Sequence, residues 1–254
     1  MKEHTTQKVA MITGANKGIG RATAEQLARM GMTVLIGARD PQRGEEAAAA
    51  MRAAGGDAHT ITLDVTDPTT VQEAARWVEE RFGHLDVLIN NAGVTGSGQV
   101  SPADAHDQIP SSVDLDMVRA VFETNVFGVI AVINAMLPLL RRSPLPRIVN
   151  VSSHAGSLTL TSDPDGPFAA LLPSAAYTPS KSALNALTVQ YANELRKDGI
   201  LVNAAAPGYV DTDSNNHTGH LTPAQGAAVV VRLATLGPNG PTAGFFSEDG
   251  PLPW

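Results

Sequence analysis

Short apolar runs alternate along the chain with longer segments in which apolar residues recur at helical spacing, the pattern of repeated βα units around a parallel sheet. The runs predict strands at Lys8–Thr13, Thr33–Ala38, Ala58–Thr62, Asp86–Ile89, Arg147–Val151, Ile200–Ala204 and Gly244–Phe246. Helical periodicity predicts Gly18–Met30, Gln42–Ala54, Thr69–Phe82, Leu115–Leu140, Tyr177–Lys197 and Thr222–Leu236. Seven strands alternating with six helices imply an α/β fold, a doubly wound parallel sheet with helices on both faces. Neither an internal repeat nor a linker divides the chain, so residues 1–254 are expected to form a single domain. Three long irregular stretches, Val94–Ser112, His154–Ala176 and Asp211–Leu221, are rich in Gly, Pro, Ser and Asp. Each follows a strand, and loops beyond the carboxyl ends of such strands border the ligand crevice. They are the expected substrate walls.

Composition narrows the function. With 254 residues, 43% hydrophobic and 17% charged, the chain can bury a sizeable core. The net charge of -7 arises from acidic residues scattered among Lys and Arg, with no basic block to follow a phosphate backbone, so no nucleic-acid partner is expected. The absence of cysteine excludes disulfides, thiolate nucleophiles and Cys-ligated metals, without naming a compartment. Met1–Lys8 is polar and lacks the apolar core of a secretory signal. The longest apolar stretch, Val126–Leu140, carries Asn134 and Pro138 and falls short of the roughly 20 residues that span a bilayer. A soluble, cytoplasmic protein with no membrane partner is expected. The seven histidines show no metal-ligand spacing, so no metal is expected, and no G-x-S-x-G elbow marks a hydrolase.

Directly after the first strand runs Thr13-Gly14-Ala15-Asn16-Lys17-Gly18-Ile19-Gly20, opening a helix. Glycines there let the backbone turn tightly and let a pyrophosphate approach the helix N-terminus. The spacing is G-x-x-x-G-x-G, which departs from the G-x-G-x-x-G fingerprint, and a turn needing glycine only for packing is the alternative. The second strand leads into Arg39, with Asp40 beyond it. A carboxylate would bind a ribose 2'-hydroxyl and a cation a 2'-phosphate. Arg39, joined by Lys17, favours NADP(H), although Arg39 can also be read as a solvated surface charge.

Tyr177 and Lys181 stand four residues apart on one helix face. A nearby ammonium favours the phenolate and is expected to lower the tyrosine pKa from about 10. Such a tyrosine can exchange a proton with a carbonyl or alcohol oxygen. Ser153 closes the Arg147–Val151 run and should sit at the carboxyl end of the sheet, where its hydroxyl can hold a substrate oxygen; plain turn chemistry explains Ser152 and Ser153 equally. Asn125 interrupts an apolar helix, either satisfying a backbone kink or anchoring a water that relays protons.

Together these residues resemble the short-chain dehydrogenase/reductase family over nearly the whole chain. The matching motifs are the glycine loop Thr13–Gly20, Asp64-Val65, Asn90-Asn91-Ala92-Gly93, Asn125, Ser153, Tyr177 with Lys181, and Pro207-Gly208-Tyr209-Val210-Asp211-Thr212, in the family's order. The resemblance implies a Rossmann-type sheet, with Asn125, Ser153, Tyr177 and Lys181 catalytic. It implies cofactor contacts from Gly14, Asn16, Lys17, Gly18, Ile19, Gly20 and Arg39, from Asp64 and Val65 at the adenine, and from Asn91, Ala92 and Gly93 behind the cofactor. Pro207, Gly208, Val210 and Thr212 would lie at the nicotinamide carboxamide, and Tyr177 and Lys181 at its ribose.

Within the family the chain is most similar to the carbonyl reductases, in Asn16-Lys17, in Ala38-Arg39-Asp40 and in an end containing Phe246, Ser247 and Trp254. That similarity implies NADPH-dependent reduction of a small-molecule ketone, aldehyde or quinone. Twenty-four positions separate Ser153 from Tyr177, more than typical members have. In carbonyl reductases a comparable insertion adds a small helix over the tetramer surface, which implies a monomer here, with Phe168–Leu172 and Pro173 as the candidate helix. Tyr209, His154, Leu158 and Phe168 either line the pocket or pack the loops. The alternative function is a non-catalytic NADP-sensing protein of the same fold, which would need no Asn, Ser, Tyr and Lys set.

Overall fold

A computed structural model describes residues 7–96 and 107–254; the segments 1–6 and 97–106, with most of the polar start and the middle of the expected Val94–Ser112 wall, lie outside the described residues. The strands are β1 (Val9–Thr13), β2 (Thr33–Ala38), β3 (Asp57–Thr62), β4 (Val87–Asn90), β5 (Arg147–Val151), β6 (Leu201–Ala205), β7 (Phe245–Ser247) and β8 (Gly250–Pro251). They form one sheet in the order β3-β2-β1-β4-β5-β6-β7-β8, parallel except for the antiparallel edge pair β7 and β8. All seven expected strands are present. The eighth is two residues long, too short to show any alternation.

The main helices are α1 (Gly18–Arg29), α2 (Pro41–Ala53), α3 (Pro68–Phe82), α4 (Leu115–Phe122), α5 (Gly128–Leu140), α6 (Leu158–Thr161), α7 (Tyr177–Leu195) and α8 (Pro223–Ala234). Their starts follow local chemistry. Asp40 and Asp67 accept from first-turn N–H groups ahead of Pro41 and Pro68, and Thr222 with Gln225 makes a capping box ahead of α8. Gly83 ends α3 at φ 74°, a conformation that glycine adopts without strain.

The expected Leu115–Leu140 helix exists but is broken in pitch by a π-turn at Glu123–Phe127 joining α4 to α5. By length and composition this 26-residue segment is long and apolar enough to cross a membrane, contrary to the count made from Val126 to Leu140 alone. In the fold it serves as a core helix, with Val132, Ile133 and Met136 fully buried.

Strands buried on both faces read as continuous apolar runs, and alternate side chains feed two cores. On one face Leu35, Leu88 and Ile148 meet α3, α5 and α7 through Val71, Ile133 and Leu184. On the other, Ile12, Ile36 and Ile89 meet α1, α2 and α8 through Leu27, Ala47 and Val230. The strand order reverses between β1 and β4, which places a crevice at their carboxyl ends. Ile133→Ala is expected to cost about 2–5 kcal/mol through the cavity it leaves, read as a lower urea midpoint at unchanged slope.

Candidate active site

The crevice at the switch point is stitched shut at its base. Asn91 donates from Nδ2 to the carbonyls of Thr13 (2.9 Å) and Gly14 (3.1 Å). The N–H groups of Asn91 and Ala92 donate to Thr13 Oγ1 at 3.0 and 2.9 Å. The glycine loop is therefore fixed against the turn after β4. Gly14 and Gly18 hold φ of 64° and 56°, and a Cβ on Gly20 would overlap the Asn91 amide and the Gly14 carbonyl. These glycines answer to backbone geometry as well as packing. Among the described residues no side chain caps the first turn of α1, so its leading N–H groups, around Gly18, Ile19 and Gly20, are open to an anion, with half-buried Asn16 beside them.

Of the two cations expected near a 2'-phosphate, Lys17 is paired with Asp213 at 2.6 Å, which holds the Asp213 carboxyl below its ordinary pKa. Arg39 is exposed and pairs with no described residue. Asp40, the rival ribose ligand, is engaged in capping α2 through the N–H groups of Gln42 (2.9 Å) and Arg43 (3.2 Å). Asp64 folds the turn after β3 by accepting from the N–H (2.9 Å) and hydroxyl (2.7 Å) of Thr66, and buried Val65 packs on Gly128.

After β6, Pro207 is followed by Gly208 at φ 86°, buried Val210 pairs with Leu221, and the Thr212 methyl faces Gly18 across the crevice. His217 spans Asp211 (2.6 Å) and Asp213 (3.1 Å), and the Asp211 contact raises its pKa. Tyr209 bonds Thr218 and lies beside His220, so its visible contacts belong to this loop.

The four expected catalytic residues converge beyond β5. Ser153 starts a short 3-10 turn by accepting from the Ala155 N–H at 3.2 Å, so it does the turn chemistry serine favours and also faces the Tyr177 phenol. Lys181 is 5% exposed, donates from Nζ to the Val151 carbonyl at 2.8 Å, and lies 5.8 Å from the centre of the Tyr177 ring. Asn125, on the π-turn, grips Val94 at both ends: Nδ2 donates to its carbonyl and Oδ1 accepts from its N–H, each at 2.9 Å. Gly93 fits between Asn125 and Lys181, where a Cβ would stand 3.2 Å from Oδ1 and 3.5 Å from Nζ. The side-chain amide thus satisfies backbone groups across a widened helical turn, a feature common at functional sites.

The tyrosine pKa runs against expectation. Burial raises it, with the Ser153 hydrogen bond opposing more weakly. Burial rather than the Lys181 ammonium sets the direction, the ammonium donating to Val151 and lying 5.8 Å from the ring centre. Burial also lowers Lys181 to about 8. The pair at neutral pH is a protonated phenol beside a still largely charged amine.

The face of α7 that meets β5 is polar, which hydrophobic periodicity does not reveal. Asn185 accepts from Ser152 at 2.7 Å, Thr188 accepts from Asn150 at 2.9 Å, and Asn150 accepts from its register partner Asn90 at 2.9 Å. Ser180, unremarked in the sequence, accepts from Asn125 Nδ2 at 3.0 Å and donates to the Tyr177 carbonyl at 2.6 Å. Its place one residue before Lys181, on the Tyr177 side of the helix, was the available signal.

The insertion departs from expectation as well. Residues 167–170 form turns rather than a helix. The short helix is α6, capped by Ser157 and bound to the chain end: Ser157 Oγ donates to Pro253 O (2.8 Å), and Thr159 donates to Trp254 O from its N–H (3.0 Å) and hydroxyl (2.8 Å). Phe168 instead stacks on His154, with centroids 6.0 Å apart, and burial lowers the His154 pKa.

A family model for the short chain dehydrogenases matches residues 8–221, and the chain belongs to that family. It is 39% identical to a short-chain dehydrogenase of Penicillium roqueforti, covering 91% of this chain and 90% of that protein. With salutaridine reductase of Papaver bracteatum it shares 34% identity over 96% and 95% of the two chains. Among solved structures, NADPH-bound carbonyl reductase from chicken fatty liver superposes with a TM-score of 0.82 at 27% identity, covering 98% of this chain and 99% of that one.

A lysine whose folded pKa lies below its unfolded value weakens the fold at low pH, and the penalty disappears as pH rises above the unfolded value. Lys181→Met is therefore expected to be more stable than the native chain at pH 7 by about 1–3 kcal/mol, the gain shrinking as pH rises from about 8 toward 10.5. Urea titrations at pH 7 and pH 10 test this; an equal loss of stability at both would show that the ammonium carries no burial penalty.

Proposed function

We propose that the chain is an NADP(H)-dependent oxidoreductase that reduces the carbonyl of a small-molecule ketone, aldehyde or quinone to the alcohol. The observation that carries this reading is the placement of the buried Tyr177 phenol beside the Ser153 hydroxyl and the buried Lys181 amine at the carboxyl end of the sheet. Cofactor fit rests on the open N-terminus of α1, the Gly20 cradle and Arg39, which pairs with no described residue. The NADPH-bound carbonyl reductase with the same fold lends further support.

NADPH, when bound, supplies the hydride from C4 of its nicotinamide. Ser153 holds the carbonyl oxygen by hydrogen bonding, and the raised pKa of Tyr177 keeps its proton in place until that oxygen gains charge. Lys181 places positive charge under the tyrosine ring and favours the phenolate left after transfer. Asn125 keeps the turn after β4 in register with α7. Asp64, Val65, Asn91, Ala92 and Gly93 shape the crevice wall on the cofactor side, and Pro207, Gly208, Val210 and Thr212 close it from the β6 side. We assign a single domain over residues 1–254, acting as a monomer in the cytoplasm; α6 and the chain end, bound together beside α7, support the monomer.

Tyr177→Phe removes the proton donor and is expected to lower kcat by about 10²–10⁴ while the fluorescence-measured affinity for NADPH changes little. NADPH oxidation followed across a panel of ketones, aldehydes and quinones is the assay, and near-native turnover by the variant would overturn the assignment. Arg39→Asp should raise the Kd for NADPH by about tenfold or more and leave that for NADH much less affected, because only the former has a 2'-phosphate to pair with a cation. Sedimentation velocity should give a species of one chain mass; a tetramer would refute the monomer.

A further inference from the structure

A second side-chain amide, that of Gln108, lies against the site and is not used by the chemistry above. It is 6% exposed. Nε2 donates to the Thr95 carbonyl at 2.6 Å, and Oε1 accepts from the Ser174 hydroxyl at 2.7 Å and from the Tyr177 N–H at 3.2 Å. The Gln108 carbonyl accepts from the Ala175 N–H at 2.8 Å. One residue therefore holds both the segment that leads out of Gly93 and the first N–H of α7.

The other end of Tyr177 is held in a parallel way. Its carbonyl accepts from Ser180, Ser180 accepts from Asn125, and Asn125 binds both backbone groups of Val94. The backbone N–H and C=O of Tyr177 thus lead, through one amide each, to the adjacent residues Thr95 and Val94. The result is a closed frame running Val94, Asn125, Ser180, Tyr177, Gln108, Thr95.

We infer that Gln108 is a positioning residue that works with Asn125 to set where the Tyr177 phenol sits. A helix cap alone needs only an acceptor, and Ser174 Oγ already accepts from the Tyr177 N–H at 3.1 Å. The donor arm to Thr95 adds something that capping does not require: it makes the start of α7 and the turn after β4 move as one body. Glutamine is suited to this because its amide offers a donor and an acceptor on opposite sides, whereas a carboxylate has no donor for Thr95 and a hydrocarbon has neither. Displacing a reacting group by as little as an ångström can slow chemistry about a hundredfold, so a frame of this kind acts on rate more than on affinity.

The inference rests on Tyr177 as the proton donor proposed above, and the test separates the two. The chain has three tyrosines, Tyr177, Tyr191 and Tyr209, so 13C-tyrosine labelling of the full protein yields three sets of ring signals, with Tyr177→Phe assigning one. In Gln108→Ala the Tyr177 signals should shift or broaden while those of Tyr191 and Tyr209 stay in place. The same variant should lose about tenfold or more in kcat at a KM for NADPH within about twofold of native. Gln108→Met fills the space without an amide, carries the same expectation, and serves if the alanine variant does not fold. Gln108→Glu, which keeps an acceptor for the Tyr177 N–H, should recover part of both effects. Unmoved Tyr177 signals, or equal movement of all three, would overturn the inference, the second by showing general loosening. A native chain that turns over no carbonyl while Tyr177 alone still responds to Gln108 would refute the reaction and leave the positioning role standing.

Discussion

Lys181 keeps an ammonium away from water with the Val151 carbonyl as its hydrogen-bond partner, and much of the structure near the crevice follows from keeping it there. A lone charge so placed is costly, and it lowers its pKa in response. Holding it requires α7 to stay in register with β5, and beside the apolar packing of Leu184 the contact carries polar pairs along the helix: Lys181 with Val151, Asn185 with Ser152, Thr188 with Asn150. Unlike an apolar interface, such pairs tolerate no sliding, since a shift of one helical turn would leave several buried groups unsatisfied. The register that positions lysine also positions tyrosine, one turn earlier on the same face.

The cofactor side is rigid for a different reason. There the backbone carries the constraint: a glycine loop turned against the Asn91 amide so closely that no side chain fits at Gly20. The two halves meet at Gly93 and Val94, where the turn from β4 passes between Lys181 and Asn125. The glycine-loop side and the Tyr177 side of the crevice are thereby referenced to one short stretch of chain.

Much of this was legible in the sequence because it rests on short-range pattern. Strands buried on both faces appear as unbroken apolar runs, and caps such as Asp67-Pro68 mark helix starts. The residues proposed as catalytic could be singled out because their order along the chain is itself a signature. What escaped depends on contacts between distant positions. Gln108 sits in an aperiodic stretch and meets Tyr177 across 69 residues. The π-turn leaves the apolar spacing of Leu115–Leu140 nearly unchanged, so only the backbone hydrogen bonding, Gly128 N–H to Glu123 O, reveals it. The insertion helix was misplaced because the run Phe168–Leu172 is apolar, whereas the capping serine and the tie to Trp254 favour Leu158–Thr161. The tyrosine pKa was misjudged for a related reason: spacing on a helix reveals a nearby ammonium but not how completely the phenol is buried.

Charge at the crevice mouth shows how proximity and availability differ. Lys17 and Arg39 both flank the glycine loop in sequence logic, yet Lys17 is bound to Asp213, itself bridged by His217 to Asp211. That chain of contacts joins the loop after β6 to the loop after β1 across the opening. These groups are exposed, so each contact is weak in water and the arrangement can exchange partners at little cost. Arg39 has no such partner among the described residues, and Asp40 beside it is committed to α2. On the proposed NADP(H) reading, discrimination by a 2'-phosphate would therefore fall chiefly on Arg39, with Lys17 contributing only by giving up Asp213.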